Sequence, residues 1–255
     1  MVCGKWMAMG AGLMVGTTVW AQAPAAAPAA PVSPWNSSVA AGATVTRGNS
    51  KTMVLNGSAV SAYKAGQNEC RLGVEANYGE TELTATNGTK RTDTNVNNAR
   101  AFAEYRRLLD ERNYVYGNAE AMKDDIADID YRVMIGPGVG RYFLKSDTRT
   151  LSAETGVAYI MTRIGGKDDD TVALRVAERF EQKVTATSKI WESAEYLPAF
   201  EGFGQYLVNA EAGIEAAVNA RFSLRVVAQD KYNSKPAPGK KCNDAVLIAG
   251  LSYRL

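Results

Sequence analysis

The chain has 255 residues, with 29 Lys and Arg against 27 Asp and Glu, and it contains no histidine. The net charge of +2 provides no basic field, so nucleic acid is not an expected partner. Without histidine there is no imidazole general base, no Ser-His or Cys-His nucleophile and no His-ligated metal. The mean hydropathy of -0.22 argues against a helical membrane protein, but not against a membrane β-barrel, whose strands have a much weaker hydropathy signal.

The N-terminal segment is expected to precede the folded domain. Lys5 provides a positive n-region, and the apolar run that follows it is too short to span a membrane as a helix. We therefore predict a signal peptide over residues 1–21, with position 23 as the alternative cleavage site. Residues 22–34 are an Ala/Pro tract, which predicts a disordered linker. The folded domain is expected to cover residues 35–255.

Apolar and polar residues alternate along most of this domain. In residues 221–232, Phe222, Leu224 and Val226 share one parity, whereas Arg221 and Arg225 share the other. Residues 69–79, residues 205–219 and the C-terminal stretch repeat the pattern. Because a strand sends alternate side chains to opposite faces, each of these segments is predicted to be a strand with one apolar and one polar face.

Further strands are predicted from noisier alternation, at 35–46, 52–64, 92–109, 113–122, 130–144, 150–162, 171–183 and 187–197. The last of these has the weakest pattern, because Glu192 falls on its apolar face. The total is about twelve strands. An even number of strands with both termini on one side is typical of bacterial outer-membrane barrels, so we predict an all-β, antiparallel transmembrane β-barrel.

The connections between predicted strands alternate in length. Those at one end are short, for example residues 65–68 and 110–112. Most of those at the other end are longer and rich in charge, Gly or Pro, at residues 80–91, 123–129, 165–170, 198–204 and 233–242. This alternation predicts short periplasmic turns and longer external loops. The alternative is a soluble barrel or sandwich, in which the apolar face would point inward.

Several short motifs occur in a characteristic order. Gly48-Asn49-Ser50 follows Thr46, Ile129-Asp130-Tyr131-Arg132 precedes three alternating glycines, and the chain closes with Gly250-Leu251-x-Tyr253-Arg254-Leu255. Over residues 35–255 the sequence resembles the uncharacterised family of salt-induced outer-membrane proteins. The resemblance implies a barrel in the bacterial cell outer membrane, with outer-membrane lipid and the barrel-assembly machinery as partners. The terminal Leu255 departs from the aromatic residue that usually ends such barrels.

The polar parity of the strands defines a candidate lumen with charges of both signs. The expected lumen-facing residues are Arg71, Glu75, Arg100, Glu104, Glu120, Arg132, Glu154, Arg175, Arg179, Glu211, Glu215, Arg221 and Arg225. We expect Glu211 or Glu215 to pair with Arg221 or Arg225 across a hairpin. A mixed lumen argues against strong ion selectivity, which usually needs rings of one sign. Gly136, Gly138 and Gly140 share the lumenal parity and are interpreted as structural.

Other candidate features are given structural interpretations. The acidic residues at 124–130 and 168–170 are interpreted as solvated loop charge rather than a Ca²⁺ site. Cys70 and Cys242 are predicted to lie at opposite rims, too far apart for a disulfide. Tyrosines near strand ends are expected to form aromatic girdles, namely Tyr63, Tyr78, Tyr114, Tyr159, Tyr206, Tyr232 and Tyr253.

The expected function is that of a narrow passive pore or a structural barrel, which the family resemblance links to salt or osmotic response. The binding alternative is a surface receptor or adhesin that uses loops 80–91, 123–129 and 198–204. The enzymatic alternative is an outer-membrane hydrolase, but the residues form no catalytic constellation. We therefore predict no enzyme activity, no catalytic or metal-binding residues and no cofactor, and we leave the oligomeric state open.

Overall fold

The computed structural model describes residues 33–46, 50–84 and 90–255. The predicted signal peptide and most of the predicted linker lie outside the described residues. Within the described ranges, no helix is long and apolar enough to cross a lipid bilayer.

The described chain forms one antiparallel sheet of strands in sequence order. These are β1 (Trp35–Thr46), β2 (Ser50–Ala65), β3 (Asn68–Thr84), β4 (Lys90–Leu108), β5 (Asn113–Asp124), β6 (Ile129–Lys145), β7 (Arg149–Ile164), β8 (Lys167–Lys183), β9 (Ser188–Pro198), β10 (Tyr206–Ala217), β11 (Phe222–Asn233) and β12 (Asn243–Arg254). Each strand pairs with the next, and β12 pairs with β1, so the sheet closes into a barrel. The predicted twelve-stranded barrel is confirmed.

The closing seam is paired over a shorter length than the other strand pairs. β1 and β12 pair at four positions, from Ser38 opposite Arg254 to Ala41 opposite Leu251. By contrast, β1 pairs with β2 along its whole length, from Trp35 to Thr46. Closure matters because it removes the sheet edges that would otherwise expose unpaired backbone groups.

The barrel has two distinct rims. At the turn rim, β1 begins, β12 ends, and short turns join β2 to β3 and every second pair after that. At the loop rim, the longest described connection runs from residue 234 to residue 242. The predicted loop at 165–170 is wrong, because β7 and β8 are joined by Gly165 and Gly166 alone. Both glycines have positive φ, at 58° and 73°, which a tight hairpin turn requires.

The outer wall of the barrel is apolar and exposed. Val226, Ile214 and Leu247 are 41%, 48% and 69% exposed, whereas Trp191 on the inner side is only 6% exposed. Glu192 lies on the outer wall, as its parity predicted. The apolar face therefore points outward and the charged face inward, the reverse of a soluble barrel with a hydrophobic core.

Exposed and half-buried aromatic residues lie on the outer wall at both rims. At the turn rim, Trp35 contacts Tyr63 with ring centroids 5.0 Å apart, and Phe222 contacts Tyr253 at 5.1 Å. At the loop rim, Tyr206 lies between Tyr196 and Tyr232, with centroid distances of 5.6 and 5.5 Å. These residues form two aromatic bands separated by aliphatic wall.

Two details concern residues singled out in the sequence. Tyr114 is not part of an aromatic band, because it lies inside the barrel and is 1% exposed. Its expected place in a girdle is therefore wrong.

Cys70 and Cys242 are both free. Cys70 is the third residue of β3 at the turn rim, and Cys242 directly precedes β12 at the loop rim.

The turn between β4 and β5 contains a carboxylate whose titration tests the structure. Hydrogen bonds from the Asn113 side chain and from the backbone N–H groups of Asn113 and Arg112 lower the pKa of Asp110 from 3.8 to about 2. The stabilising contribution is therefore present above pH 3.8 and is lost as the pH falls through about 2. We expect carboxyl ¹³C NMR to give a low midpoint for Asp110 that rises toward 3.8 in Asn113→Ala. An ordinary midpoint in the wild-type protein would contradict this geometry.

Candidate functional site

The barrel interior holds nearly all of the charged residues that were predicted to face the lumen. A cavity inside the barrel, here called the lumenal cavity, is lined by Arg71, Glu75, Arg100, Glu104, Glu120, Arg132, Glu154, Arg175, Arg179, Glu211, Glu215 and Arg225. Arg221 lies elsewhere, in the turn between β10 and β11. Its guanidinium donates to the Tyr253 hydroxyl at 3.4 Å, outside the cavity lining.

A buried ion-pair network fills one side of the lumen. The Glu154 carboxylate contacts Arg106 at 2.8 Å and Arg175 at 2.7 Å, and it accepts a hydrogen bond from the Tyr114 hydroxyl at 2.8 Å. Arg175 also contacts Glu195 at 2.6 Å. Arg175 joins the neighbouring strands β7, β8 and β9, whereas Arg106 on β4 reaches Glu154 on β7 across the interior. The network closes part of the cross-section and braces the wall.

Glycines on the inner wall make room for aromatic rings. A Cβ atom added at Gly140 would lie 2.3 Å from the Tyr114 ring, and one at Gly138 would lie 2.4 Å from the Tyr116 ring. Gly213 has the same relation to Trp191, at 2.1 Å. The structural interpretation of these lumenal glycines therefore has a definite basis, because each leaves the space that a neighbouring ring occupies.

Gly140→Ala is expected to destabilise the barrel by about 1–3 kcal/mol, because the added methyl group forces the buried Tyr114 ring to move. The urea midpoint of unfolding in detergent micelles, followed by tryptophan fluorescence, measures the change. Gly117→Ala is the matched control, since a Cβ atom at Gly117 meets nothing within 4 Å. Equal midpoints for the two variants would contradict the packing described here.

The ion pairs expected across the β10–β11 hairpin do not form. Glu215 contacts Lys189 on β9 at 3.5 Å, and Glu211 accepts hydrogen bonds from Trp191 and Gln229 at 2.7 and 2.9 Å. That expectation is wrong because Lys189 and Trp191 on β9 and Gln229 on β11 contact these carboxylates instead. A second lumenal group joins Arg100 to Glu120 at 2.7 Å and to Glu75 at 3.5 Å.

The lumenal cavity has a volume of about 540 Å³ and reaches both rims. Its lining includes Asn36 and Arg254 at the turn rim and Asp124 and Asp244 at the loop rim. On β1, β2 and β12 the lining residues are mostly small, and include Ser38, Ala62 and Ser252.

The connection between β11 and β12 covers part of the loop rim. Ala237, in the middle of this connection, is 3% exposed, and a Cβ atom at Gly165 would lie 3.6 Å from its methyl carbon. Lys235 reaches Asp169 on β8 at 3.9 Å. Pro236 and Lys241 line the lumenal cavity. This connection thus crosses toward the β7–β8 hairpin and narrows the entrance at the loop rim.

Some residues that line the lumenal cavity are not among those predicted from the sequence. Lys189, Trp191 and Lys231 line the cavity together with Phe102. Each shares the inward parity of its strand, so the alternation alone could have identified them. Among the described residues, no group of three or more Cys, Asp or Glu side chains is arranged to hold a metal ion.

Several solved structures are similar to this chain at low sequence identity. The NalP autotransporter translocator domain from Neisseria meningitidis is 13% identical, with a TM-score of 0.47 and 87% of each chain covered. The COG4313 outer-membrane channel from Pseudomonas putida F1 is 9% identical, with a TM-score of 0.46, covering 91% of this chain and 98% of that one. The NanC porin is 10% identical, with a TM-score of 0.47, covering 85% and 96%. At such identities the likeness concerns the fold alone.

A comparison with curated protein sequences gives no match. The family model described as "Protein of unknown function, DUF481" matches residues 39–255. The match covers the barrel from the fifth residue of β1 to the C-terminus. The chain therefore belongs to the DUF481 family.

Proposed function

We propose that this protein is an outer-membrane β-barrel that acts as a narrow passive pore for water and small solutes, and that it is not an enzyme. The observation that carries the proposal is the lumenal cavity, whose lining includes residues of both rims. A barrel with a purely structural role has no need of a polar cavity along its length.

The outer wall supports the membrane location. Its large apolar side chains are exposed, and tyrosine, tryptophan and phenylalanine rings lie in bands at both rims. Burying such a wall in lipid removes apolar area from water, and aromatic rings are favoured at membrane–water interfaces. By the pattern of outer-membrane barrels, the turn rim faces the periplasm and the loop rim the exterior.

The cavity volume supports a narrow path. A volume of about 540 Å³ spread over an apolar band ~25 Å tall leaves little cross-section. The buried network around Glu154 and the loop containing Ala237 both reduce the opening. Such a path suits water and small solutes rather than folded chains or large oligomers.

The direct test is conductance in planar bilayers with the mature protein refolded from detergent. We expect small, stable current steps with weak selectivity, since the lining carries both signs of charge. Gel mobility before and after heating identifies the folded fraction. Bilayers that stay sealed after insertion of folded protein would overturn the pore.

A loop variant tests the path itself. Replacing residues 235–240 by a short Gly-Ser linker is expected to raise the conductance, because Pro236 and its neighbours narrow the entrance. The control replaces exposed residues 200–204, whose Phe203 is 67% exposed, and is expected to leave conductance unchanged. Equal conductance in the two variants would contradict the proposed path.

The link to salt or osmotic response rests on the family resemblance. We propose it as a physiological role of the pore, and growth of a deletion strain in medium of raised NaCl concentration tests it. Normal growth of that strain at high salt would contradict the link without affecting the pore.

A further inference from the structure

Within the part of the chain that the structure describes, Arg71 and Arg225 line the lumenal cavity without an ion-pair partner. Among the described residues, neither Arg71 nor Arg225 has a carboxylate oxygen within the 4.0 Å of an ion pair, and both line the lumenal cavity. Arg71 lies over the Phe102 ring at 4.8 Å, and Arg225 lies over the Trp191 ring at 5.0 Å. The Arg225 Nε atom is buried and has no hydrogen-bond partner. These guanidinium groups stack on aromatic faces and, within the described residues, donate no hydrogen bond to a carboxylate.

A third arginine belongs to the same neighbourhood. Arg179 and Arg225 both act electrostatically on Glu211, and Arg71 interacts with Arg179 and Glu211. The three arginines come from β3, β8 and β11, so they approach Glu211 from different parts of the wall. Arg179 forms a long ion pair with Glu181, at 3.8 Å. Glu211 is thus the carboxylate that all three arginines share as an electrostatic neighbour.

The nearby carboxylates already have partners. Glu104 contacts Arg106 at 2.6 Å, Glu215 contacts Lys189 at 3.5 Å, and Glu211 accepts hydrogen bonds from Trp191 and Gln229. Desolvated cations without an ion-pair contact are costly, so they attract an anion from solution. The excess of positive charge at this point of a mixed lumen therefore indicates a ligand.

We propose that Arg71, Arg179 and Arg225 form a binding site in the lumen for a small oxyanion, an organic dicarboxylate or phosphate. The planar guanidinium group presents paired N–H donors that match carboxylate and phosphate oxygens. The proposal deepens the proposed function, because the ligand reaches the site through the same cavity. Binding itself does not require that the cavity conduct.

Isothermal titration of the folded, detergent-solubilised protein tests the site, with succinate and inorganic phosphate in separate arms. We expect saturable one-to-one binding in at least one arm, and the tighter arm identifies the ligand chemistry. Chloride at equal ionic strength is expected to produce no saturable heat. Absence of saturable binding in both arms, or equal binding of chloride, would overturn the site.

Variants locate the site. Arg71→Gln and Arg225→Gln are each expected to weaken binding about tenfold or more, since each removes a charge-assisted interaction. Arg225→Lys keeps the charge and is expected to cost less, so it serves if the glutamine variant does not fold. Glu211→Gln is expected to strengthen binding by removing the competing carboxylate. Weaker binding in Glu211→Gln would contradict the proposed arrangement.

Arg132→Gln is the matched control. Arg132 also lines the cavity without an ion pair, but its electrostatic neighbours are Glu120 and Asp124, outside the arginine cluster. It is expected to leave affinity within about twofold of the wild-type value, since it makes no direct contact with the ligand. An equal loss of affinity in Arg132→Gln and Arg225→Gln would show that binding depends on the general electrostatic field of the lumen. It would overturn the proposal of a discrete site.

Planar-bilayer recordings separate this proposal from the pore. Succinate or phosphate is expected to reduce the current at the concentration that half-saturates the calorimetric binding, and Arg225→Gln is expected to relieve this block. Binding without conductance would contradict the proposed pore and support the proposed anion site. Conductance without binding or block would contradict the proposed anion site and support the proposed pore.

Discussion

Glu154→Ala is expected to destabilise the barrel by roughly 3–5 kcal/mol, because it leaves buried arginines without their counter-charge. Glu154 is 7% exposed and contacts both Arg106 and Arg175, and Arg175 is also 7% exposed. The Glu154 carboxylate also accepts a hydrogen bond from the Tyr114 hydroxyl, so the alanine variant leaves a buried donor unsatisfied. The measurement is the urea midpoint of unfolding in fixed micelles, with gel mobility reporting the folded fraction.

Glu215→Ala is the matched control for this prediction. Its contact with Lys189 is longer, at 3.5 Å, and both side chains are more exposed, so the expected cost is below about 1 kcal/mol. A double variant, Glu154→Leu with Arg175→Met, is expected to recover part of the loss, because it removes opposite charges together. Equal midpoints for the two glutamate variants would show that the buried network does not stabilise the barrel.

Val226→Arg is expected to cost about 2–4 kcal/mol, the range for an arginine on the lipid face near the bilayer midplane. Val226 is on the outer wall of β11, between Phe222 at the turn rim and Tyr232 at the loop rim. Its neighbour across the strand pair, Ile214, is also exposed and apolar. Folding yield into lipid vesicles and the urea midpoint in the same vesicles measure the effect.

Two controls separate the lipid face from a general intolerance of change. Val226→Ala keeps the wall apolar and is expected to fold with a small loss. Ser58→Arg introduces the same charge on the inner face of β2, opposite Glu75 of β3, and is expected to be tolerated. If Val226→Arg folded as well in vesicles as Ser58→Arg, the outer wall would not be the lipid face.

Most of the strand architecture could be predicted from the sequence. The predicted segment 35–46 matches β1, and 113–122 lies within β5 (Asn113–Asp124). Even the weakest segment was correct, because Glu192 does lie on the outer wall. The connections were harder, since Asp168 to Asp170 look like a loop by composition but continue β8 after a two-glycine turn. Composition does not record that a hairpin can turn through positive φ in so few residues.

The lumen was predictable in membership but not in contacts. Parity assigned Glu154 and Arg175 to the lumen, and both line the lumenal cavity, yet nothing local indicated that Glu154 would meet Arg106 from β4. The expected hairpin pairs failed because Lys189, on the other side of β10, contacts Glu215 instead. Tyr114 was assigned to a girdle from its place near a strand end, whereas its parity places it inside, against Gly140.

The sequence by itself determined the strands, their order around the barrel and the face on which each side chain lies. The physical reason is local, because a strand alternates its side chains and short turns force neighbours to pair. Only the tertiary structure decided which lumenal charges meet and which remain unpaired. Those contacts depend on the stagger of strands around the closed barrel and on how far side chains reach across it, and neither quantity is encoded in the spacing within one strand.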